Sequence, residues 1–260
     1  MNTINIIGLG KMGTAIAKLL IKTGYTINAY DIDENKKKTQ KKVVFHNDIK
    51  SLLSVKAPVI AAVKPSQMAE VLAQITDNRL VISIAAGVNL QTLNNLRKVK
   101  GPVIRVMPNT PFLIGKGISV LCADSNSSEL DKKLSLEIFQ KGGDAIFISD
   151  EKLMHTVTSL SGSGPAFVEI FLQSLEDAGV LNGLSRDLAR LLALKTTIGT
   201  AAMVEKSGKS PYEHIFDVTS PGGTTIAGIK ALKENNFENA VLEAVEKAVL
   251  QSKKLAKEVS

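Results

Sequence analysis

The chain has 260 residues, 44% hydrophobic and 22% charged, which supports one large or two modest globular domains and argues against disorder. Its net charge of +7 is scattered, with one cluster at Lys36, Lys37, Lys38, Lys41 and Lys42, and 4% aromatic content leaves little for base stacking, so no nucleic-acid partner is expected. The longest apolar runs, 59–63 and 80–86, fall far short of the roughly 20 residues of a membrane span, and the single cysteine, Cys122, allows neither an intrachain disulfide nor a cysteine-based metal site.

Strand-like residues 3–7 open the chain with no basic segment and long apolar core before them, as expected of a mature, unexported protein of the reducing cytoplasm. Further strands are predicted at 26–31, 43–45, 59–63, 80–84, 103–106, 118–122 and 145–148. Helical periods at 12–22, 48–54, 67–74, 90–98 and 129–141 lie between many of them. Wholly apolar strands alternating with helices predict parallel β-α-β units, hence an α/β doubly wound sheet. After about Asp150 the texture changes, and from Leu153 onward no strand is predicted. Helical patterns at 165–178, 186–207, 225–234 and 238–257 are broken by Gly, Pro and Ser clusters at 179–183, 207–211 and 220–223. Two domains follow, 1–150 and an all-α 151–260. The stretch 186–203 carries Leu188, Leu191, Leu192, Leu194 and Ile198 around more than one helix face, which requires cover from several sides, by a second copy of the chain or by its own domain.

Gly8-Leu9-Gly10-Lys11-Met12-Gly13 follows the first strand and opens the first helix, and Asp31 ends the second strand about 20 residues on. Together these form the dinucleotide fingerprint of a Rossmann-like domain. Gly8 permits the tight turn, Gly10 the approach of a pyrophosphate, and Gly13 close helix-strand packing. Asp31 is expected to accept hydrogen bonds from an adenosine ribose and to repel a 2′-phosphate, whereas Lys36, Lys37 and Lys38 could swing onto one. Loops after other strands add Val63, Lys64 and Pro65, and Ala85, Ala86 and Gly87. Asn47 precedes the helix expected at 48–54 and serves as a cap or a contact.

A second site is written in Ser220-Pro221-Gly222-Gly223-Thr224-Thr225, a glycine-rich turn running into an apolar-periodic stretch. Such a helix start presents unpaired N–H groups suited to a small carboxylate. With Met107-Pro108-Asn109-Thr110-Pro111 and Leu160-Ser161-Gly162-Ser163-Gly164-Pro165-Ala166, in this order after the fingerprint, the chain resembles pyrroline-5-carboxylate reductase, the last enzyme of proline biosynthesis. The likeness runs from Ile4 to about Ser252 and includes Asp177-Ala178-Gly179-Val180 and Gly183-Leu184.

The resemblance implies reduction of 1-pyrroline-5-carboxylate with NAD(P)H. The cofactor would be held by Gly8, Leu9, Gly10, Lys11, Met12, Gly13, Asp31, Asn47, Val63, Lys64, Pro65, Ala85 and Ala86, with Asn109 near the nicotinamide. Ser220, Gly222, Gly223, Thr224 and Thr225 would bind the substrate, its carboxylate on backbone N–H groups and the Ser220 hydroxyl, its ring nitrogen on the Thr225 hydroxyl. The helical domain would form an interlaced homodimer or a higher assembly, with a substrate site drawn from two chains. Phe167 stands where the family usually has Tyr, and Asp31 is unusual in a family that often accepts NADPH.

The residues agree with that chemistry. Reducing a cyclic imine needs a hydride on carbon and a proton on a nitrogen basic enough to take it from water or a hydroxyl. Accordingly neither substrate loop carries His, Cys or a carboxylate, and His46, His155 and His214 are dispersed, His214 reading as a surface residue. A β-hydroxyacid dehydrogenase would share the plan and the loop at Ser161 to Gly164 but needs a lysine on the next helix, and 165–175 has none. A non-catalytic nicotinamide-binding regulator would show an obstructed turn at Ser220 to Thr225.

Overall fold

The computed structural model describes residues 2–36 and 42–259, with side chains as far as Lys257, so Lys37, Lys38 and Lys41 of the basic run lie outside the described residues. Among the described residues eight strands form one sheet: β1 (Thr3–Ile7), β2 (Thr26–Tyr30), β3 (Val44–Phe45), β4 (Val59–Ala61), β5 (Val81–Ser83), β6 (Val103–Pro108), β7 (Gly117–Ala123) and β8 (Gly143–Phe147). Their order is β3-β2-β1-β4-β5-β6-β7-β8, whose first six strands follow the dinucleotide-binding arrangement. The helices among them are α1 (Lys11–Lys22), α2 (Ile49–Leu53), α3 (Met68–Leu72), α4 (Leu90–Leu96) and α5 (Glu129–Phe139).

Strand alternation explains why apolar residues occupy both faces of the strands. Ile4, Ile6, Ile60, Ile82 and Ile104 pack with Ile16 and Leu20 of α1 and Ile138 and Phe139 of α5. The intervening Ile7, Val59, Ala61, Val81 and Val103 pack with Leu52 of α2, Met68 and Leu72 of α3, and Leu93 of α4. Both faces are therefore covered, as the doubly wound architecture demands.

One expectation needs correction. β7 runs antiparallel to β6, although every other neighbouring pair is parallel. A parallel return needs a crossover of a dozen or more residues. Here β6 and β7 are joined by one 3₁₀ turn, Thr110–Ile114, closed by Gly115 in the left-handed region (φ 73°). That turn buries Phe112 against Phe139, and a Cβ on Gly142 would lie 2.1 Å from the Phe112 ring.

After β8 come α6 (Met154–Val157), continued by a π-turn over Thr158–Gly162, then α7 (Gly164–Leu181), α8 (Arg186–Ser207), α9 (Pro211–Asp217), α10 (Thr224–Glu234) and α11 (Phe237–Val259). No described helix is long and apolar enough to cross a membrane. By internal contacts the chain separates into Met1–Ser163 with Lys247–Ser260, and Gly164–Glu246. In the first unit the Ser252 hydroxyl meets His155 Nδ1 at 3.0 Å, joining the end of α11 to α6.

In the second unit α7 and α8 fold against each other. Gly179, expected to break the helix, lies inside α7, where a Cβ would sit 2.9 Å from that of Ala189, so the glycine serves the close packing of α7 on α8. Glu176 of α7 accepts from Arg186 and Arg190 of α8 at 2.9–3.1 Å, and these hydrogen bonds hold its carboxyl below its ordinary value. Only Ala189 and Ala193 of α8 are buried within the chain. Leu191, Leu192 and Ile198 stand 51%, 48% and 62% exposed, so the chain's own domain does not enclose this helix.

At the foot of the sheet, Arg79 donates from Nε and Nη2 to both Asp77 oxygens at 2.6 Å and to the carbonyls of Leu53 and Val55. The guanidinium holds the Asp77 carboxyl far below its ordinary value. A carboxyl depressed in the folded chain stabilises it above the ordinary carboxylate range, and that contribution fades as pH falls through the range and below. Asp77→Asn is expected to cost about 1–3 kcal/mol at neutral pH, with the deficit shrinking below about pH 4. Urea midpoints of both proteins at pH 7 and pH 3 check this, and an equal deficit at the two pH values contradicts it.

Candidate functional site

The first unit carries a cleft of about 380 Å³ at the ends of β1, β2 and β4, with Gly8, Gly10, Asp31, Val63 and Lys64 among its lining residues. Each fingerprint glycine has a distinct cause. Gly8 has φ +95°, and a Cβ there would lie 2.5 Å from the Ala62 carbonyl oxygen. A Cβ on Gly13 would lie 2.1 Å from the Gly8 oxygen, so α1 can approach β1 only through a glycine. Gly10 would meet nothing within 4 Å, which leaves room for a ligand rather than for protein. It is also the N-cap of α1 and provides no side-chain acceptor for the first-turn N–H groups. An open, uncapped helix start facing a cleft suits a pyrophosphate.

Asp31 is fixed at the edge of this cleft. Its Oδ2 accepts from the Leu9 N–H of the fingerprint loop and its Oδ1 from the Asp33 N–H at 2.8 Å. The Leu9 side chain is fully buried, while Met12 packs against the core behind α1 and Lys11 is exposed. Pro65 opens a short 3₁₀ turn after Lys64, whose N–H donates to Gln67 Oε1. The cap of α2 falls on Asp48 and not on Asn47: Asp48 Oδ1 accepts from the Ser51 N–H at 2.6 Å, and this bond holds the carboxyl below its ordinary value. Asp48 also lines the cleft and was missed from sequence, where the helix is expected to start on it, although an aspartate at a helix start is itself a cap signal. Ala85, Ala86 and Asn109 are not among the lining residues. Asn109 Oδ1 accepts from the Ile118 N–H at 2.9 Å, so its carboxamide braces the β6–β7 turn.

The second unit holds the other turn. The Gly223 N–H donates to the Ser220 carbonyl at 3.1 Å, Gly222 has φ +72°, and a Cβ on Gly223 would lie 2.5 Å from Ser220 Oγ. A side chain at 223 would force that hydroxyl to turn away. α10 then starts at Thr224 with Gly223 as N-cap and no side-chain cap, and Thr224 and Thr225 are exposed. First-turn N–H groups and the hydroxyls of Ser220 and Thr225 thus belong to one open turn that can accept a carboxylate.

The histidines are engaged separately. His46 Nε2 meets Asn28 Oδ1 at 3.1 Å, His155 meets Ser252, and His214 Nε2 meets Ser207 Oγ at 2.6 Å. Burial and the nearby Arg105 push the His155 imidazole below its ordinary value. α7 contains no lysine, so it lacks the group a hydroxyacid dehydrogenase would require there.

The chain is 39% identical over 265 residues to the pyrroline-5-carboxylate reductase of Methanosarcina acetivorans, covering 98% of each chain. It is 36% identical over 271 residues to that of Arabidopsis thaliana, covering 97% of this chain and 95% of the other. It belongs to the pyrroline-5-carboxylate reductase family. A family model described as pyrroline-5-carboxylate reductase dimerisation matches residues 151–255, and one described as NADP oxidoreductase, coenzyme F420-dependent, matches 3–87. The solved structure of the Plasmodium falciparum pyrroline carboxylate reductase, with NADP bound, superposes with a TM-score of 0.89 at 34% identity, covering 98% of both chains.

The glycine geometry separates folding from binding. Gly10→Ala is expected to melt within a few degrees of the parent yet bind a nicotinamide dinucleotide at least about tenfold more weakly, about 1.4 kcal/mol. Gly13→Ala is expected to lose stability first. Thermal melts and dinucleotide titrations of both variants check this, and full binding by Gly10→Ala contradicts it.

Proposed function

We infer that the chain is an oxidoreductase that reduces 1-pyrroline-5-carboxylate to L-proline with NAD(P)H, the last step of proline biosynthesis. The observation that carries this reading is the Ser220–Thr225 turn, whose uncapped helix start and hydroxyls of Ser220 and Thr225 suit a small imino acid, in a chain related over nearly its whole length to this reductase family. The division of labour follows residues 1–150 for the cofactor and 151–260 for substrate and dimerisation. The dimerisation match at 151–255 supports it.

The cofactor, when bound, supplies a hydride to the imine carbon. The residues of the chain do the rest. Gly8, Leu9, Gly10, Lys11, Met12 and Gly13 form the pyrophosphate loop, Asp31 and Asn47 flank the adenosine side, and Val63, Lys64, Pro65, Ala85, Ala86 and Asn109 border the remainder. Backbone N–H groups of Gly222, Gly223, Thr224 and Thr225 with the Ser220 hydroxyl hold the carboxylate. The Thr225 hydroxyl orients the ring nitrogen and passes it a proton as the hydride arrives, taking one back from water. No strong acid is required, because the nitrogen is basic, and rate comes mainly from positioning and exclusion of water.

We further propose a homodimer in which the complete substrate site draws on two chains. The open apolar residues of α8 support it, since each fully buried Leu or Ile is worth about 1.5–3 kcal/mol. A cytoplasmic location belongs to the same proposal, supported by a single, buried cysteine.

Oxidation of NADH or NADPH driven by pyrroline-5-carboxylate tests the activity, with reduction of NAD+ or NADP+ by 3-hydroxyisobutyrate measured alongside; turnover of the hydroxyacid alone contradicts it. Thr225→Ala is expected to lower kcat roughly ten- to a hundredfold with a smaller rise in KM, about 1.4–2.7 kcal/mol of lost transition-state stabilisation, while Thr225→Ser keeps much of the activity. Equal loss in Thr224→Ala would assign the effect to the shape of the turn. A charge at Leu192 or Ala201 is expected to give inactive monomers or insoluble protein, and a fully active, well-folded monomer of the parent chain in sedimentation would sink the shared-site model.

A further inference from the structure

We propose that Asp31 and Asp48 act together to make the cleft select a dinucleotide whose adenosine ribose carries no phosphate, so that this enzyme takes its hydride from NADH. The inference rests on the reductase reading above and extends it to two specificity-determining side chains.

Topology brings them together. β3 pairs in parallel with β2, Asn28 opposite Val44 and Ala29 opposite Phe45, so the residues that follow the two strands emerge at the same edge of the sheet. Asp31 follows β2 directly and Asp48 follows β3 at the start of α2, and both line the cleft beside Gly8 and Gly10. The end of the second strand is where such folds meet the 2′ position of the adenosine ribose.

Neither carboxylate is positioned to step aside. For Asp31 to swing away, it must release the backbone N–H groups of Leu9 and Asp33, both of which it satisfies. Asp48 is likewise tied to the Ser51 N–H as the cap of α2, and that bond favours its ionised form. Glu70 adds a third acid to the lining, against which Lys64 is the one cation among the described lining residues. An unphosphorylated ribose offers hydroxyl donors to carboxylate acceptors. A 2′-phosphate brings about −1.5 to −2 charges and only acceptors, which such a wall repels.

The test removes charge and keeps shape. Asp31→Asn and Asp48→Asn each retain an oxygen acceptor, and Asn caps helices about as well as Asp. Dissociation constants for NADH and NADPH, and for adenosine 5′-monophosphate and adenosine 2′,5′-bisphosphate as unreactive probes, are measured by calorimetry on the full chain. The parent is expected to bind the unphosphorylated member of each pair at least about tenfold more tightly, roughly 1.4 kcal/mol. Each single variant is expected to narrow that ratio about three- to tenfold, and the double variant to bring it near unity. An unchanged ratio in Asp48→Asn overturns the role of that residue. Tighter binding of the phosphorylated member by the parent overturns the whole inference and hands control to the lysines that follow Glu34. A preference for NADH in a chain that fails to reduce pyrroline-5-carboxylate with either cofactor supports the present inference and contradicts the reductase reading instead.

Discussion

The site depends on helix starts that the chain leaves without a side-chain acceptor. α2, α4, α5, α8 and α9 each begin on a side chain that accepts a first-turn N–H, from Asp48, Asn89, Ser128, Ser185 and Ser210 respectively. α1 and α10 begin instead on Gly10 and Gly223, which have no such group to offer. A glycine start costs only a few tenths of a kcal/mol relative to a good side-chain cap and leaves N–H groups, with the positive end of the helix dipole, for an anion. One such end suits a pyrophosphate and the other a carboxylate.

This economy explains the scarcity of titrating groups at the proposed substrate turn. Imine reduction places charge where the substrate already carries it, on a carboxylate and a basic nitrogen, so backbone donors and a hydroxyl suffice. Several ion pairs among the described residues have structural work instead: Asp77 with Arg79 at the foot of the sheet, Glu151 with Arg105 beside α6, and Glu176 with Arg186 and Arg190 between α7 and α8. The second unit is a different case, since most of its large apolar side chains stay open in a single chain. Such an apolar surface marks an association surface rather than a monomer's exterior.

Much of this was legible in the sequence because glycine leaves few alternatives. Gly8 and Gly13 stand where any Cβ would strike backbone, and Gly223 where it would strike Ser220, so motif and geometry are the same fact seen twice. The alternation of strands and helices was equally plain. What failed were readings that depend on distant partners. The reversal of β7 follows from the short link after Pro108 rather than from any periodicity. Gly179 reads as a stop until Ala189 is seen against it. α9, which begins where the expected break at 207–211 ends, went unrecognised, although Pro211 at its first turn and the reciprocal Ser210–Glu213 cap are sequence signals of a helix start. The bonds from Asp31 to Leu9 and from Asn109 to Ile118 are long-range and carry no local signature.

The central claim, that this chain delivers hydride to a cyclic imine carbon, is tested most directly by isotope. With NADH or NADPH carrying deuterium at the transferable C4 position, and pyrroline-5-carboxylate as acceptor, the product is analysed by mass spectrometry and NMR. The account predicts L-proline bearing one deuterium on its δ-carbon, the former imine carbon, in a single stereochemical orientation. Proline without deuterium, label distributed over both faces, or no proline formed with either cofactor would contradict it.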